Sequence, residues 1–264
     1  MTLEASILGL SVWGPGLEGW AASRPVLAGA LPYAPRPSPA PPPTILPATE
    51  RRRTGPVVRL ALAVAHEAAT ASGLPPGSLR AVFGSSNGDG LVVGGILDAL
   101  ATAGDERVVS PTQFHNSVHN AAAGYWSIAT ASREPATCLG CHDSTWAASL
   151  LTAMADLAAG RRPLLLCCYD HPLPAPLAAL RRTEAAFAVA LVLALPAPGT
   201  PRIAVAYRSS PARDPDLHDP ALEALARGNP AAQSLPLLIA LARATAGRLA
   251  VPYLDGRLDI DVQP

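Results

Sequence analysis

Apolar residues follow two different spacings along the chain, and these spacings predict alternating strands and helices. The apolar runs at Ala5–Val12, Leu79–Phe83 and Leu164–Tyr169 are typical of buried strands, the first of them central. Apolar residues three and four positions apart predict a helix from Pro56 to Gly73 and a last helix over Pro236–Ala246. Because strands alternate with helices, the pattern predicts an α/β sheet packed on both faces.

The second half of the chain adds further predicted strands. Ala185–Leu195 is the longest apolar run, and it is too short to span a bilayer, so we interpret it as a buried strand. We expect it to pair antiparallel with Ile203–Tyr207 across the turn Pro196–Pro201. Arg257–Val262 is predicted to form a terminal strand.

The stretch CLGCHDSTWAASLLTAMADLAAG combines the end of a strand, a tight turn and a helix. Ala136–Leu139 predicts the strand, Ser144 is expected to cap the helix through its hydroxyl, and Gly160 is expected to end it in the left-handed conformation. A strand, a sharp turn and a helix N-terminus together favour negative charge and are typical of a nucleophile elbow. The candidate catalytic residues are therefore the turn residues Cys141, His142, Asp143 and Ser144.

A second group of candidate residues precedes this unit. Ser110–Phe114 is predicted to lead into a helix over His115–Thr130, which would place His115 and His119 on one helix face. The glutamate of an HExxH zinc motif is missing, so we expect this pair at a helix end or an interface. The turn GSSNGDG at residues 84–90 lacks the lysine of a phosphate-binding loop, and we interpret it as a strand-to-helix turn.

The cysteines have several possible roles. CLGCH matches the CxxCH pattern of covalent haem attachment, and a dithiol or part of a zinc site is also conceivable. The motif spans a strand end in an apolar region without an export signal, however. Cys167 and Cys168 are neighbours in a strand and should point to opposite faces. We therefore expect small buried thiols, with no metal and no cofactor.

Composition and charge exclude several classes of function. All 20 basic residues are arginine and 20 acidic residues balance them, so the net charge of zero argues against binding nucleic acid. The absence of lysine excludes Schiff-base chemistry. The N-terminus resembles no secretory signal, and no stretch predicts insertion into a membrane. We expect a cytoplasmic protein with reduced cysteines.

The Pro-rich stretch near the N-terminus is predicted to be irregular. Arg24–Pro47 cannot hold a regular element, because proline lacks the backbone donor and fixes φ. Since only one short strand precedes it, we interpret residues 24–50 as a surface loop within a single domain over residues 1–264. Residues 209–264 would form a short C-terminal segment of that domain.

Several of these stretches resemble parts of the β-ketoacyl synthases, in the same order. Arg51–Gly73 resembles their Arg-led helix, SVHNAAAG at Ser117–Gly124 resembles the start of the helix before the catalytic strand, and Thr137–Gly160 looks like their nucleophile strand, elbow and helix. Three other stretches, Ala5–Gly16, Leu79–Gly90 and Ala185–Leu195, are similar to their opening strand, Gly-rich turn and the strand that closes the first half. The resemblance implies a thiolase-like α/β fold, mainly the N-terminal half of a ketosynthase, with a mixed sheet covered by helices on both faces.

Within this family the chain is most similar to short members called chain length factors. These accompany a full synthase in aryl polyene and similar type II fatty-acid or polyketide-like pathways. Asp143 falls where condensing enzymes carry the acylated cysteine, and the half that supplies their two histidines and a lysine has no counterpart. After Tyr207 the only histidine is His218, in a Pro-rich stretch. The resemblance implies a non-catalytic subunit that pairs with a full ketosynthase and meets an acyl carrier protein through that complex.

Two functions from different classes remain open on the sequence. A pairing subunit that shapes the acyl tunnel would use interface and tunnel residues at His115, Asn116, His119, Asn120, Trp146 and Leu150. A small free-standing acyl-thioester hydrolase or acyltransferase would instead act through the Cys141–Ser144 turn. His142 is the one candidate base for Cys141, and adjacent turn residues rarely aim at one another. We therefore expect no condensation by the chain alone.

Overall fold

One mixed sheet forms the framework of the protein. The structure, a computed structural model, describes residues 2–102, 108–212, 217 and 219–264. Within these residues nine strands share the sheet: β1 Leu3–Gly14, β2 Leu17–Glu18, β3 Arg80–Gly84, β4 Ala136–Leu139, β5 Leu164–Asp170, β6 Phe187–Ala194, β7 Arg202–Arg208, β8 Gly247–Tyr253 and β9 Gly256–Gln263. Their order is β4–β3–β5–β6–β1–β7–β9–β8, and β2 pairs with the end of β1.

Helices cover both faces of this sheet. They are α1 Trp20–Leu27, α2 Ala48–Arg51, α3 Pro56–Ala71, α4 Gly90–Thr102, α5 Pro111–Asn116, α6 Ala121–Thr130, α7 Thr145–Gly160, α8 Leu177–Leu180, α9 Pro220–Gly228 and α10 Leu235–Ala242. One apolar core contains the buried residues of α3 and α6, and the other contains those of α1, α7, α9 and α10. The predicted α/β architecture, with helices on both faces, is confirmed.

The first strand is central, as predicted, but the pairing expected for β6 and β7 is wrong. Both strands pair antiparallel with β1, one on each side, so they run parallel to each other and never form a hairpin. The connection between them passes the start of β1, where the Ile7 amide donates to the Pro201 carbonyl at 2.8 Å. Apolar runs predict strands, but they do not identify which strand lies beside which.

Strands β3, β4 and β5 run parallel, and this arrangement positions the functional site. β3 pairs with β4 on one side and with β5 on the other, so the carboxyl ends of all three lie at one edge of the molecule. β4 is the outermost strand of the sheet, and its outer side pairs with no described strand. The loops that follow these three strands therefore meet.

Helix α3 follows its predicted pattern, whereas the ends of α7 differ from prediction. The residues expected on the apolar face of α3 are all buried: Val57, Leu60, Ala61, Val64 and Ala68. Gly160 is the last residue of α7, and Arg161 takes the left-handed conformation at φ 52°. A Cβ on Gly160 would lie 2.4 Å from Arg80 Nη1, so the glycine permits close packing instead of forming the predicted C-cap.

The stretch predicted to be wholly irregular contains parts of two helices. α1 includes Arg24 and Pro25, and α2 begins at Ala48, so only the residues between these helices lack regular structure. α1 is held by the Trp20 amide, which donates to Glu67 Oε1 at 2.7 Å, and by the burial of Leu27. Tertiary anchoring thus outweighs the low helix propensity of proline at this position.

The helix predicted over His115–Thr130 is divided into α5 and α6. The Asn116 side chain fixes the break, since its Nδ2 donates to the Arg53 carbonyl at 2.9 Å and its Oδ1 accepts from the Tyr125 hydroxyl at 2.9 Å. His115 belongs to α5, whereas His119 lies in the connection. The two histidines therefore do not share a helix face, contrary to the prediction.

The C-terminal segment completes the sheet with a hairpin of two strands, β8 and β9. Only the second of these strands was predicted. β9 pairs with β7 and β8, and it extends the predicted terminal strand Arg257–Val262 by a residue at each end. His218 lies outside the described residues. Among the described residues no helix is both long and apolar enough to cross a membrane.

Candidate functional site

Three loops converge at the carboxyl ends of the parallel strands. The turn at residues 85–89 follows β3, the elbow at residues 140–144 follows β4, and the segment that begins at His171 follows β5. Open α/β sheets bind their ligands outside the carboxyl ends of the strands. This edge is therefore the candidate functional site.

The elbow turn is closed by Thr145 and not by Ser144. Thr145 Oγ1 accepts a hydrogen bond from the Cys141 amide at 2.9 Å and donates to the His142 carbonyl at 2.6 Å. Ser144 makes no side-chain cap of α7, because its hydroxyl accepts from the Leu254 amide at 2.9 Å. The predicted capping role of Ser144 is wrong, and the serine instead ties the β8–β9 turn to the elbow.

His142 has a left-handed backbone at the centre of this turn. Its φ of 49° is uncommon for a residue with a Cβ, although histidine tolerates it better than most. Its imidazole is exposed and lies between two charged groups: Nδ1 is 3.1 Å from Asp143 Oδ2, and Nε2 contacts Arg181 Nη1. Both ring nitrogens of His142 are therefore engaged by charged neighbours.

Asp143 completes a closed ring of three side chains. Its Oδ1 accepts from Arg181 Nη2 at 2.7 Å, while its Oδ2 faces His142 Nδ1. The Asp143 side chain is 69% exposed and that of Arg181 only 19% exposed. The carboxylate therefore reaches from the surface onto a largely buried guanidinium. Among the described residues, the Asp143 carboxylate is held by these two side chains and accepts no backbone N–H group of α7.

Arg181 also joins the elbow to the turn after β3. Its Nε donates to Asn87 Oδ1 at 2.9 Å, and its Nη2 donates to Ser86 Oγ at 2.7 Å. Asn87 in turn donates through Nδ2 to Thr183 Oγ1 at 2.8 Å and to the His171 carbonyl at 3.2 Å. The guanidinium is thus held rigidly by side chains from two loops.

Asp170 lies buried beneath this network at the end of β5. Its Oδ1 accepts from Ser85 Oγ and from the amides of Ser86 and Asn87, at 3.0, 2.8 and 2.9 Å. Its Oδ2 has no hydrogen-bond partner among the described residues. Burial raises the pKa of Asp170 to about 7, although these hydrogen bonds and the nearby Arg181 charge oppose the rise.

A second buried carboxylate belongs to Asp89. Its Oδ1 accepts from the Val92 amide at 3.1 Å and so caps α4, while its Oδ2 has no partner among the described residues. Burial raises the pKa of Asp89 above its ordinary value. Both carboxylates serve as backbone acceptors that hold the loops of the site.

The thiols near the site show no sign of activation. All four cysteines are free, and the Cys141 thiol has no hydrogen-bond partner among the described residues. Burial raises the pKa of Cys138, and it raises that of Cys168 to about 12. Cys167 and Cys168 lie in the two different apolar cores, as predicted. No described group of three or more histidine, cysteine or acidic side chains could hold a metal ion.

The site brings together some of the predicted interface residues and separates others. His119 lies beside the elbow, where its Nε2 donates to the Ser85 carbonyl at 2.8 Å. His115 is exposed on α5 and packs edge-on against Tyr125, with ring centroids 6.2 Å apart. Asn116 is buried in the α5–α6 break, and Asn120 is exposed just before α6.

Trp146 and Leu150 lie in the apolar core and not on the surface. Both side chains are fully buried, in the same core as Leu164 and Leu166. Neither side chain is exposed for contact with a partner in this conformation, and their predicted role in lining an acyl tunnel stays a prediction.

Sequence reasoning missed Arg181 and Asp170. Asp170 carries a detectable signal, because a carboxylate at the end of the apolar run LLLCCYD must be buried with hydrogen-bond donors. Arg181 is one of 20 arginines in an irregular stretch, and no local pattern distinguishes it. Its role depends on the meeting of three loops that are distant in the sequence.

These strands, the elbow and the two helix layers form a thiolase-like ketosynthase fold, which confirms the predicted fold class. The chain belongs to the family of the β-ketoacyl synthase N-terminal domain, whose model matches residues 27–250. The resemblance found in the sequence is therefore confirmed. The search of curated proteins returned no match.

Solved structures share the fold at low sequence identity. A chain from the complex of the ketosynthase ApeO with its chain length factor ApeC, from Xenorhabdus doucetiae, is 21% identical with a TM-score of 0.75, covering 98% of this chain and 99% of that one. The ishigamide ketosynthase/chain length factor is 15% identical with a TM-score of 0.69, covering 98% of each chain. The AntDE:AntF structure, an acyl-carrier protein in complex with its ketosynthase, is 12% identical with a TM-score of 0.71, covering 100% and 99%.

Proposed function

We propose that the chain is a non-catalytic, chain-length-factor-like subunit that pairs with a full β-ketoacyl synthase and shapes its acyl tunnel. The engagement of both His142 ring nitrogens carries this proposal, since one faces Asp143 and the other contacts Arg181. An acyl-accepting cysteine needs a base or a cation to form its thiolate. His142 is therefore not free to serve Cys141.

The edge of the sheet at β4 supports a protein partner. β4 is short, and its outer side pairs with no described strand. Three apolar side chains on the neighbouring α5–α6 region are exposed: Phe114 by 67%, Val118 by 45% and Ile128 by 48%. A free strand edge beside exposed apolar groups is typical of an interaction surface. We place the ketosynthase partner on this surface, which we call the β4 surface.

The similar structures support the same pairing. Two of them describe a ketosynthase with a chain length factor, and a third describes a ketosynthase with an acyl-carrier protein. The alignments cover 98–99% of the matched chains. By analogy, the complex would act in the cytoplasm on carrier-bound chains in type II fatty-acid or polyketide-like biosynthesis, including aryl polyene pathways.

The hydrolase or acyltransferase alternative finds no support at the elbow. Within the described residues, no base contacts the Cys141 thiol, and the Ser144 hydroxyl binds the Leu254 amide. A nucleophile without a base in hydrogen-bond reach is a weak one.

Co-expression with a full β-ketoacyl synthase from the same organism tests the proposal. Gel filtration with light scattering should give one heterodimer, and the purified chain alone should neither condense malonyl thioesters nor hydrolyse acyl thioesters. A chain that stays monomeric beside that ketosynthase, or that turns over either thioester alone, would contradict the proposal.

A further inference from the structure

The ring formed by Arg181, His142 and Asp143 has the geometry of a bound carboxylate. Each oxygen of Asp143 has its own partner, with Oδ1 on Arg181 Nη2 at 2.7 Å and Oδ2 on His142 Nδ1 at 3.1 Å. Arginine is the residue best suited to recognise a carboxylate through planar, paired donors. The carboxylate in this case is supplied by the chain itself.

The receiving side of this contact is preorganised, whereas the carboxylate lies at the exposed surface. Arg181 is fixed by Asn87 and Ser86 and is mostly buried. Asp143 makes no side-chain hydrogen bond to the backbone among the described residues, and its side chain is largely exposed. Rigid donors that face an exposed acceptor are the arrangement of a binding site open to solvent.

We propose that Arg181, His142 and Ser86 form a carboxylate-binding site that Asp143 of the same chain occupies. Its natural competitor is a small carboxylate, such as the free carboxylate of a malonyl group. By filling the site, Asp143 keeps such groups away from the elbow of this subunit. The site belongs to the chain alone, so its test needs no partner protein.

Removal of the Asp143 side chain should open the site to added carboxylates. Asp143→Ala in the full chain should bind sodium acetate and sodium malonate saturably, with a dissociation constant on the order of 10–100 mM for one hydrogen-bonded arginine–carboxylate contact. Isothermal titration and thermal melting, at constant ionic strength set with sodium chloride, are the measurements. The wild-type chain should show no saturable response, because its own carboxylate competes from within.

Two further variants separate this site from general salt effects. Asp143→Ala combined with Arg181→Met should lose at least about tenfold in acetate affinity, because the guanidinium carries the contact. Asp143→Ala combined with Arg36→Met keeps the site and removes an exposed arginine elsewhere, so it should bind acetate like Asp143→Ala alone.

Each result of these binding and melting measurements either supports or overturns the proposal. If Asp143→Ala melts at a lower temperature, acetate should restore the melting temperature and sodium chloride should not. A folded Asp143→Ala chain without saturable binding would overturn the proposal. The proposal would also be overturned if the Arg181→Met double variant bound acetate as tightly as Asp143→Ala alone. The same holds if an unstable Asp143→Ala chain were not rescued by acetate.

Discussion

At the scale of single residues, Asp170 should give the protein a distinctive dependence of stability on pH. Its pKa is about 7 in the folded chain and 3.8 in its ordinary state, so the unfolded chain ionises this carboxyl first as the pH rises. Its contribution to stability is therefore fully present below about pH 4 and is lost as the pH approaches 7. The loss is at most about 4 kcal/mol.

Asp170→Asn should remove most of this dependence. The amide oxygen can still accept the three hydrogen bonds that Oδ1 accepts, but it cannot ionise. Urea unfolding at pH 5 and pH 8 should show a smaller difference in the free energy of unfolding for Asp170→Asn than for the wild type. Asp255→Asn, in the exposed β8–β9 turn, is the control and should behave like the wild type. If the free energy of unfolding of Asp170→Asn changed between pH 5 and pH 8 as much as that of the wild type, Asp170 would not be the source of the pH dependence.

Gly84 gives a second prediction at this scale, because β3 approaches α7 closely there. A Cβ on Gly84 would lie 2.0 Å from Ser149 Oγ, closer than real contacts allow. Gly84→Ala should therefore lower the free energy of unfolding by about 1–3 kcal/mol, as overpacking does. Gly124→Ala in α6 is the matched control, since no heavy atom lies within 4 Å of its Cβ position. Thermal melting of the two variants is the measurement, and an equal effect of both would contradict this explanation.

Individual functional residues could be predicted only where the signal was local. The elbow residues were predicted because a strand, a tight turn and a helix follow one another along the chain. Arg181 could not be predicted, since its contacts with Asn87 and Asp143 join loops that are far apart in the sequence.

At the scale of elements, the strands and helices were largely predictable from apolar spacing, but which elements pair or pack with each other was not. β1 separates β6 from β7, although a short Pro-rich connection favoured a hairpin. The break between α5 and α6 depends on Asn116, whose partners are Arg53 in the loop before α3 and Tyr125 in α6. Such tertiary contacts leave no periodic trace in the sequence.

The β4 surface leads to a prediction about association with the ketosynthase. Ile128→Asp places a charge among its exposed apolar side chains and should weaken association with the ketosynthase at least about tenfold, since burying an unpaired charge is costly. Tyr207→Asp is the control, because Tyr207 is 50% exposed and lies on β7, on the opposite side of β1 from the β4 edge. Titration of labelled chain with ketosynthase measures both variants. Equal weakening by both, or by neither, would place the partner elsewhere.

At the scale of the whole molecule, the fold and the chemistry of the elbow point in different directions. The fold is that of enzymes that form carbon–carbon bonds, and the family assignment covers residues 27–250. The elbow nevertheless holds a histidine and a carboxylate that both contact Arg181, next to a thiol without a hydrogen-bond partner among the described residues. A subunit with a ketosynthase fold and such an elbow can support condensation without catalysing it, if the partner supplies the nucleophile.

The rate of malonyl-dependent chain extension by the heterodimer tests this account most directly. The account predicts that Cys141→Ala in this chain leaves the rate within about twofold of wild type, because its thiol takes no part in the reaction. Replacing the nucleophilic cysteine of the partner ketosynthase should abolish extension. If Cys141→Ala abolished extension in an intact heterodimer, this elbow would be catalytic and the account would be wrong.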